Sequence, residues 1–322
     1  MKIDTSFSWL VHEDLKSVED LMRKQADSYH PDIGVALELL LESGGKRIRP
    51  TLSLLAGKMY GADISRLITL SAAIELLHTA TLVHDDLIDG ALLRRGSPTL
   101  NSQWSAGATV LTGDFLFSRA AYLAAETDSL TVMKLFAQTL TVIVNGEITQ
   151  LFAGRCTPDK ENYFQRIYAK TASLMETAAA GAVMVSSAED EIVDQIGKFG
   201  YSLGMALQII DEILDFTGNQ GKLGKPVGSD LRQGLVTLPT IYFIEDHPDE
   251  PAVQSLLKGR CLDETEVAEF VEKIRTSDAI GKAHDEARLF VKKALDILRQ
   301  HPAGEFRDAL ENLALYIVER EL

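Results

Sequence analysis

The chain has 322 residues, 46% apolar and 25% charged, which excludes disordered, collagen-like and low-complexity classes and leaves a globular protein with a large core. Lys and Arg number 32 against 47 Asp and Glu, and the net charge of -15 argues against a nucleic-acid surface. No Pro-, Gly- or Ser-rich linker interrupts it, and its length leaves one large domain or two fused halves to be weighed. Apolar positions recur every three or four residues almost throughout, and alternating Val/Ile/Thr runs of strand length are missing, so the fold class is all-α. In chain order the periodicity predicts helices over about 6–28, 32–42, 50–60, 65–90, 103–125, 130–153, 160–187, 190–218, 231–245, 263–275, 278–299 and 303–320. Gly44-Gly45 ends the second, Pro50 opens the third, and Gly218 and Gly221 close the eighth. The start lacks the apolar stretch of a signal peptide and no run of about 18 apolar residues occurs, so a cytoplasmic location without a transmembrane segment is expected. Cys156 and Cys261 have neither metal-ligand spacing nor the density of a disulfide framework, and are expected to be reduced and without a role.

Residues able to carry chemistry gather at a few places. Gly44-Gly45-Lys46-Arg47-Ile48-Arg49-Pro50 puts three cations on a glycine-rich turn ahead of a helix, either an exposed connecting loop or a cradle for phosphate. His78 lies two helical turns, about 10 Å, before Asp85 and is either a satisfied core histidine or an anion contact. Ala80 and Thr81 are small and leave space on the same helix. In His84-Asp85-Asp86-Leu87-Ile88-Asp89, the carboxylates of Asp85 and Asp89 share a face and suit a hard cation such as Mg²⁺; the plainer reading is a solvated helix end. Arg94 and Arg95 follow, with paired donors matched to phosphoryl oxygens. The acidic pattern returns once, at Asp211-Glu212-Ile213-Leu214-Asp215, after the apolar Ala206-Leu207-Gln208-Ile209-Ile210. Like charges at this spacing destabilise a helix unless a cation compensates, so the repetition favours metal binding over two solvated ends. Lys170 and Lys225 are further cations able to complete a grip on diphosphate.

The motifs of nucleophilic hydrolysis, zinc proteolysis, NTP cleavage and dinucleotide binding are all missing. What remains fits metal-assisted departure of a diphosphate, with basic residues stabilising the leaving group and apolar walls keeping water from a carbocation.

Taken in order, the 44–50 turn, Asp85 to Asp89 with Arg94-Arg95-Gly96-Ser97-Pro98-Thr99, Lys170-Thr171-Ala172, the motif at Asp211 and Leu223-Gly224-Lys225-Pro226 resemble the trans-isoprenyl diphosphate synthases, or polyprenyl synthetases, over about residues 30–245. The resemblance implies a single all-α domain over 1–322 with the isoprenoid synthase type I fold, a helical bundle with a central cavity, and a homodimer. It implies that Asp85, Asp89 and Asp211 bind Mg²⁺, supported by Asp86 and Asp215. Arg94, Lys170, Thr171, Gln208 and Lys225 would hold an allylic diphosphate, and Lys46, Arg49, His78 and Arg95 isopentenyl diphosphate. The second motif carries Glu212 where many members have Asp, which points to altered metal geometry at that position. Ala80 and Thr81 stand five and four places before the first motif, where short-chain makers often place a bulky aromatic; neither would block a growing chain, so a product of about C30 or longer is expected.

Geranylgeranyl or farnesyl diphosphate synthesis is the nearest alternative. A class I terpene cyclase would need Asn, then Ser or Thr four places on, then Glu four further. From Asn145 those positions are Thr149 and Ala153, and from Asn219 they are Leu223 and Val227, so the second metal site fails. A non-catalytic subunit would be free to lose its acidic motifs, and both are intact. A catalytic subunit that needs a small partner would be inactive alone.

Overall fold

The structure is a computed structural model describing residues 6–152, 156–218 and 227–320. A 3₁₀ turn, Ser6–Val11, precedes α1 (His12–Lys24), α2 (Pro31–Glu42), α3 (Ile48–Met59) and α4 (Ile64–Ile88). A two-stranded ribbon, β1 (Leu93–Arg94) and β2 (Ser97–Pro98), leads into α5 (Leu100–Gln103), α6 (Ala106–Glu126) and α7 (Leu130–Phe152). Then come α8 (Lys160–Ile167), a π-helical turn Tyr168–Ala172, α9 (Ser173–Met184) and α10 (Asp190–Thr217). The chain closes with α11 (Ser229–Arg232), α12 (Leu238–Asp246), α13 (Pro251–Leu257), α14 (Glu264–Arg275), α15 (Ala279–Leu298) and α16 (Glu305–Glu319). The all-α expectation holds.

Two compact units make up the chain. The first comprises Met1–Leu140, Leu174–Gly200 and Asp296–Leu313. At its centre α4 is apolar on every side and packs against α6, α3 and α1. By length and composition α4 would also cross a membrane, but 67% of its apolar window is buried inside the protein, as in a core helix. Near its end α4 comes so close to α6 that a Cβ on Gly113 would lie 2.2 Å from His84 Nε2, so a larger residue there would have to displace the imidazole.

The second unit comprises Thr141–Ser173, Tyr201–Leu295 and Ala314–Leu322. Its core includes Tyr163, Ile209, Ile213, Phe216, Phe243 and Phe270, with α12 lying against α8 and α14. Gly146 of α7 meets the π turn closely, since a Cβ there would sit 2.4 Å from Ala169 Cβ.

Three features depart from the periodicity. The helix expected over 160–187 is interrupted by the π turn, and the one expected from 231 starts at Leu238. The 93–98 ribbon was not expected: Arg95 and Gly96 take φ of 53° and 80°, the two left-handed positions of a tight hairpin turn. Cys156 and Cys261 were expected to be reduced, yet they form a disulfide with Cα atoms 5.2 Å apart. Their separation of 105 residues concealed this, because the fold brings together the loops entering α8 and α14.

Candidate active site

In the first unit the last turn of α4 is intact, with the Asp89 amide donating to Asp85 O at 2.8 Å, so the two residues share a face. Asp85 is half-buried and Asp89 exposed. Asp86 points elsewhere: it is 5% exposed and gripped by Arg94, whose Nε donates to both carboxylate oxygens at 2.9 Å and whose Nη2 donates to Oδ1 at 2.7 Å. Arg94, expected on substrate, is thus committed to a buried ion pair, and the ribbon supplies the geometry for it.

The turn ahead of α3 gathers cations against α4. Arg47, in a left-handed conformation, reaches Glu19 at 2.8 Å and Glu75 at 3.3 Å and donates to Leu41 O. Arg49 is half-buried, and its Nε has no hydrogen-bond partner among the described residues. Burial lowers the Arg49 pKa, with Arg95 reinforcing and Glu75 opposing. Arg95 donates to Gly44 O, and burial followed by the Arg94 charge lowers its pKa. His78 is held well below its ordinary value, first by burial and then by Arg49, Arg95, Arg94 and Arg47, so the imidazole is neutral. The structure therefore brings Arg49, His78 and Arg95 together, with Arg47 of the same cationic turn beside them. Lys46 lies exposed on the same turn. Ala80 is wholly buried, and Thr81 is half-buried with its hydroxyl donating to His78 O at 2.7 Å.

In the second unit Asp211 is exposed at the start of the acidic turn and pairs with Arg320, which follows α16 and was missed because it lies 109 residues away in sequence. Asp215 accepts the backbone amides of Ser229 and Asp230, each at 3.2 Å. Lys170, in the π turn, donates to Glu147 at 3.2 Å, and its neighbour Thr171 donates to Gln208 at 2.7 Å. Lys225, and with it the Leu223 to Pro226 motif, lies outside the described residues. Glu212 does not join the acidic face. One residue on from Asp211 it is turned about 100° around the helix. It is buried, accepts from Tyr163 Oη at 2.6 Å and from Gln208 at 3.3 Å, and its pKa is pushed up to about 7 by burial and then by Asp230.

Among the described residues no three His, Cys, Asp or Glu side chains form a ready metal cluster. Asp85 and Asp89 in the first unit, and Asp211 in the second, each offer carboxylate oxygens. Such a sparse, hard donor set fits a divalent cation that brings phosphate oxygens and water to complete its shell.

The polyprenyl synthetase family model matches residues 30–274. The heptaprenyl diphosphate synthase component 2 of Geobacillus stearothermophilus is 38% identical over 100% of both chains. A Caulobacter crescentus polyprenyl synthase, solved with calcium and isoprenyl diphosphate, superposes with a TM-score of 0.92 at 32% identity, covering 99% of each chain. Heptaprenyl diphosphate synthase from Staphylococcus aureus gives 0.91 at 32% identity, covering 96% of this chain and 98% of that one. With acidic motifs, cationic turn and helical architecture all in place, the chain belongs to the polyprenyl synthetase family.

Proposed function

We propose that this prenyltransferase condenses isopentenyl diphosphate with an allylic diphosphate to give an all-trans polyprenyl diphosphate of about C30 or longer. The observation that carries the reading is the cluster of Arg49, Arg95 and neutral His78, in which the buried Arg49 Nε has no hydrogen-bond partner among the described residues. Such a group favours a multiply charged anion far more than it favours a neutral ligand. The small Ala80 and Thr81 and the heptaprenyl relatives support the long product.

Asp85 and Asp89 of the first unit, and Asp211 of the second, are the carboxylates that would hold Mg²⁺, which would supply electrostatic stabilisation to the departing diphosphate. Arg49, Arg95, His78 and Lys46 hold the isopentenyl diphosphate and fix its double bond in position. Lys170 and Lys225 are assigned to the allylic diphosphate. The allylic C–O bond breaks with its electron pair leaving on diphosphate, and the double bond of the second substrate attacks the cation. The new cation loses a proton to the departed diphosphate, so no protein nucleophile is needed. Thr171 and Gln208 turn oxygen dipoles towards the positive charge.

The chain is proposed to act as one domain over 1–322 and to pair as a homodimer. Each boundary of the two compact units falls inside an α-helix, at α7, α9, α10, α15 and α16, and none in a linker. A cytoplasmic location belongs to the same reading, since both substrates are charged and water-soluble. The disulfide runs against it, and counting free thiols in protein taken from cytoplasm decides the matter.

The test is incubation of the purified chain with Mg²⁺, labelled isopentenyl diphosphate and farnesyl diphosphate, followed by chromatography of the dephosphorylated products. Products of about C30 or longer are expected. Exclusive C15 or C20 output refutes the chain length. The component 2 relative favours a second reading, a catalytic subunit that needs a partner. An inactive but folded lone chain would support it.

A further inference from the structure

A run of hydrogen bonds lies behind the residues assigned to the allylic substrate, and the inference from it rests on the prenyl-transfer reading. Thr171 Oγ1 donates to Gln208 Oε1 at 2.7 Å, Gln208 Nε2 donates to Glu212 Oε1 at 3.3 Å, and Tyr163 Oη donates to Glu212 Oε2 at 2.6 Å. Tyr163, Thr171 and Glu212 are all buried.

The sense of each bond is set by chemistry. A carboxamide has one accepting end and one donating end, and its partners decide which way it points. Accepting from Tyr163 at one oxygen and from Gln208 at the other, the Glu212 side chain takes the NH₂ end of Gln208 and leaves the carbonyl for Thr171. The Thr171 proton is thereby occupied, and what the hydroxyl has left to present is lone-pair density. Were the amide reversed, Gln208 would donate to Thr171, whose own proton would turn outward and present positive charge. Tyr163 holds the far carboxylate oxygen and keeps the side chain from rotating.

The backbone is built for this register. Eight residues separate Tyr163 from Thr171, and an unbroken α-helix would leave them about 80° apart around the axis. The π turn at Tyr168–Ala172, with its wider i→i+5 pitch, takes up that angle, so both side chains reach α10. Gln208 and Glu212 stand one turn apart on that helix.

We propose that Glu212, braced by Tyr163, is a positioning residue that fixes the polarity of the Gln208 carboxamide so that Thr171 presents oxygen lone pairs to the allylic cation. It acts through its neighbours and holds neither metal nor diphosphate.

Glu212→Gln tests this, because it conserves volume and, with Tyr163 still donating to the carbonyl end, turns an NH₂ group towards the Gln208 amide, which must then reverse. The variant is expected to lose about tenfold or more in kcat. KM for both substrates and half-saturation by Mg²⁺ stay within about twofold of wild type. In a Thr171→Val background, where no hydroxyl is left to orient, Glu212→Gln should cost nothing further. Unchanged kcat, additive losses in the double variant, or a tenfold weaker metal response would each overturn the proposal, the last by returning Glu212 to the cation. If Glu212→Gln fails to fold, Tyr163→Phe decides: a lower kcat at unchanged KM supports the relay and wild-type kcat overturns it. A wild-type chain with no prenyl transfer, either alone or with a partner subunit added, refutes the function instead. The relay is then judged by nuclear Overhauser contacts of the Gln208 side-chain NH₂, which Glu212→Gln must move from residue 212 to Thr171.

Discussion

Asp86 and Arg94 show how neighbours in a motif divide their work. Asp85 and Asp89 lie on one face because they are four residues apart, and that much was legible in the sequence. The partner of Asp86 was not, because it depends on a ribbon two residues long at each strand. Removing one side of a buried pair strands the other charge, so Arg94→Ala is expected to destabilise the fold by roughly 3 kcal/mol, read by denaturant unfolding. His78 gives a second expectation. Its folded pKa lies well below the 6.5 of the unfolded chain, so below pH 6.5 the unfolded state takes up a proton that the native state refuses. Stability is complete above that pH and falls as the solution is acidified. His78→Gln should remove that component from unfolding curves measured between about pH 7 and pH 5. Tyr163 and Arg320 escaped the sequence reading, as did the ion pairs of Arg47 with Glu19 and Glu75, because each contact joins residues far apart along the chain and no spacing rule reports it.

Among elements, the long helices were legible because burial imposes a 3.6-residue period on their apolar faces. The π turn was not, since one extra residue leaves that period almost undisturbed over a short stretch. Its effect on register is nevertheless large. Deleting Ala172 should restore an α-helical turn and carry Lys170 and Thr171 away from Glu147 and Gln208. The expected result is a folded protein whose turnover falls about a hundredfold, measured by circular dichroism alongside the product assay. The short α13 was missed as well, because Pro251–Leu257 is only two turns long and begins at a proline that reads equally well as a breaker.

For the molecule as a whole, composition and period pointed to one helical class, and the ordered motifs pointed to the family. The cross-link was invisible because covalent pairing of Cys156 with Cys261 depends on tertiary proximity alone. Closing a loop of 105 residues restricts the unfolded chain, so reduction should lower stability by about 4 kcal/mol, seen as a shift in the denaturation midpoint with dithiothreitol.

The arginine turn is a small positive island on a body carrying a net charge of -15, and its ligands are themselves anions. From a distance an incoming diphosphate meets repulsion, and only within about one Debye length does the local attraction take over. Added salt should therefore speed capture at first and weaken the final grip later. A plot of kcat/KM against ionic strength would rise, crest and fall, whereas an enzyme with favourable long-range steering would show a steady decline.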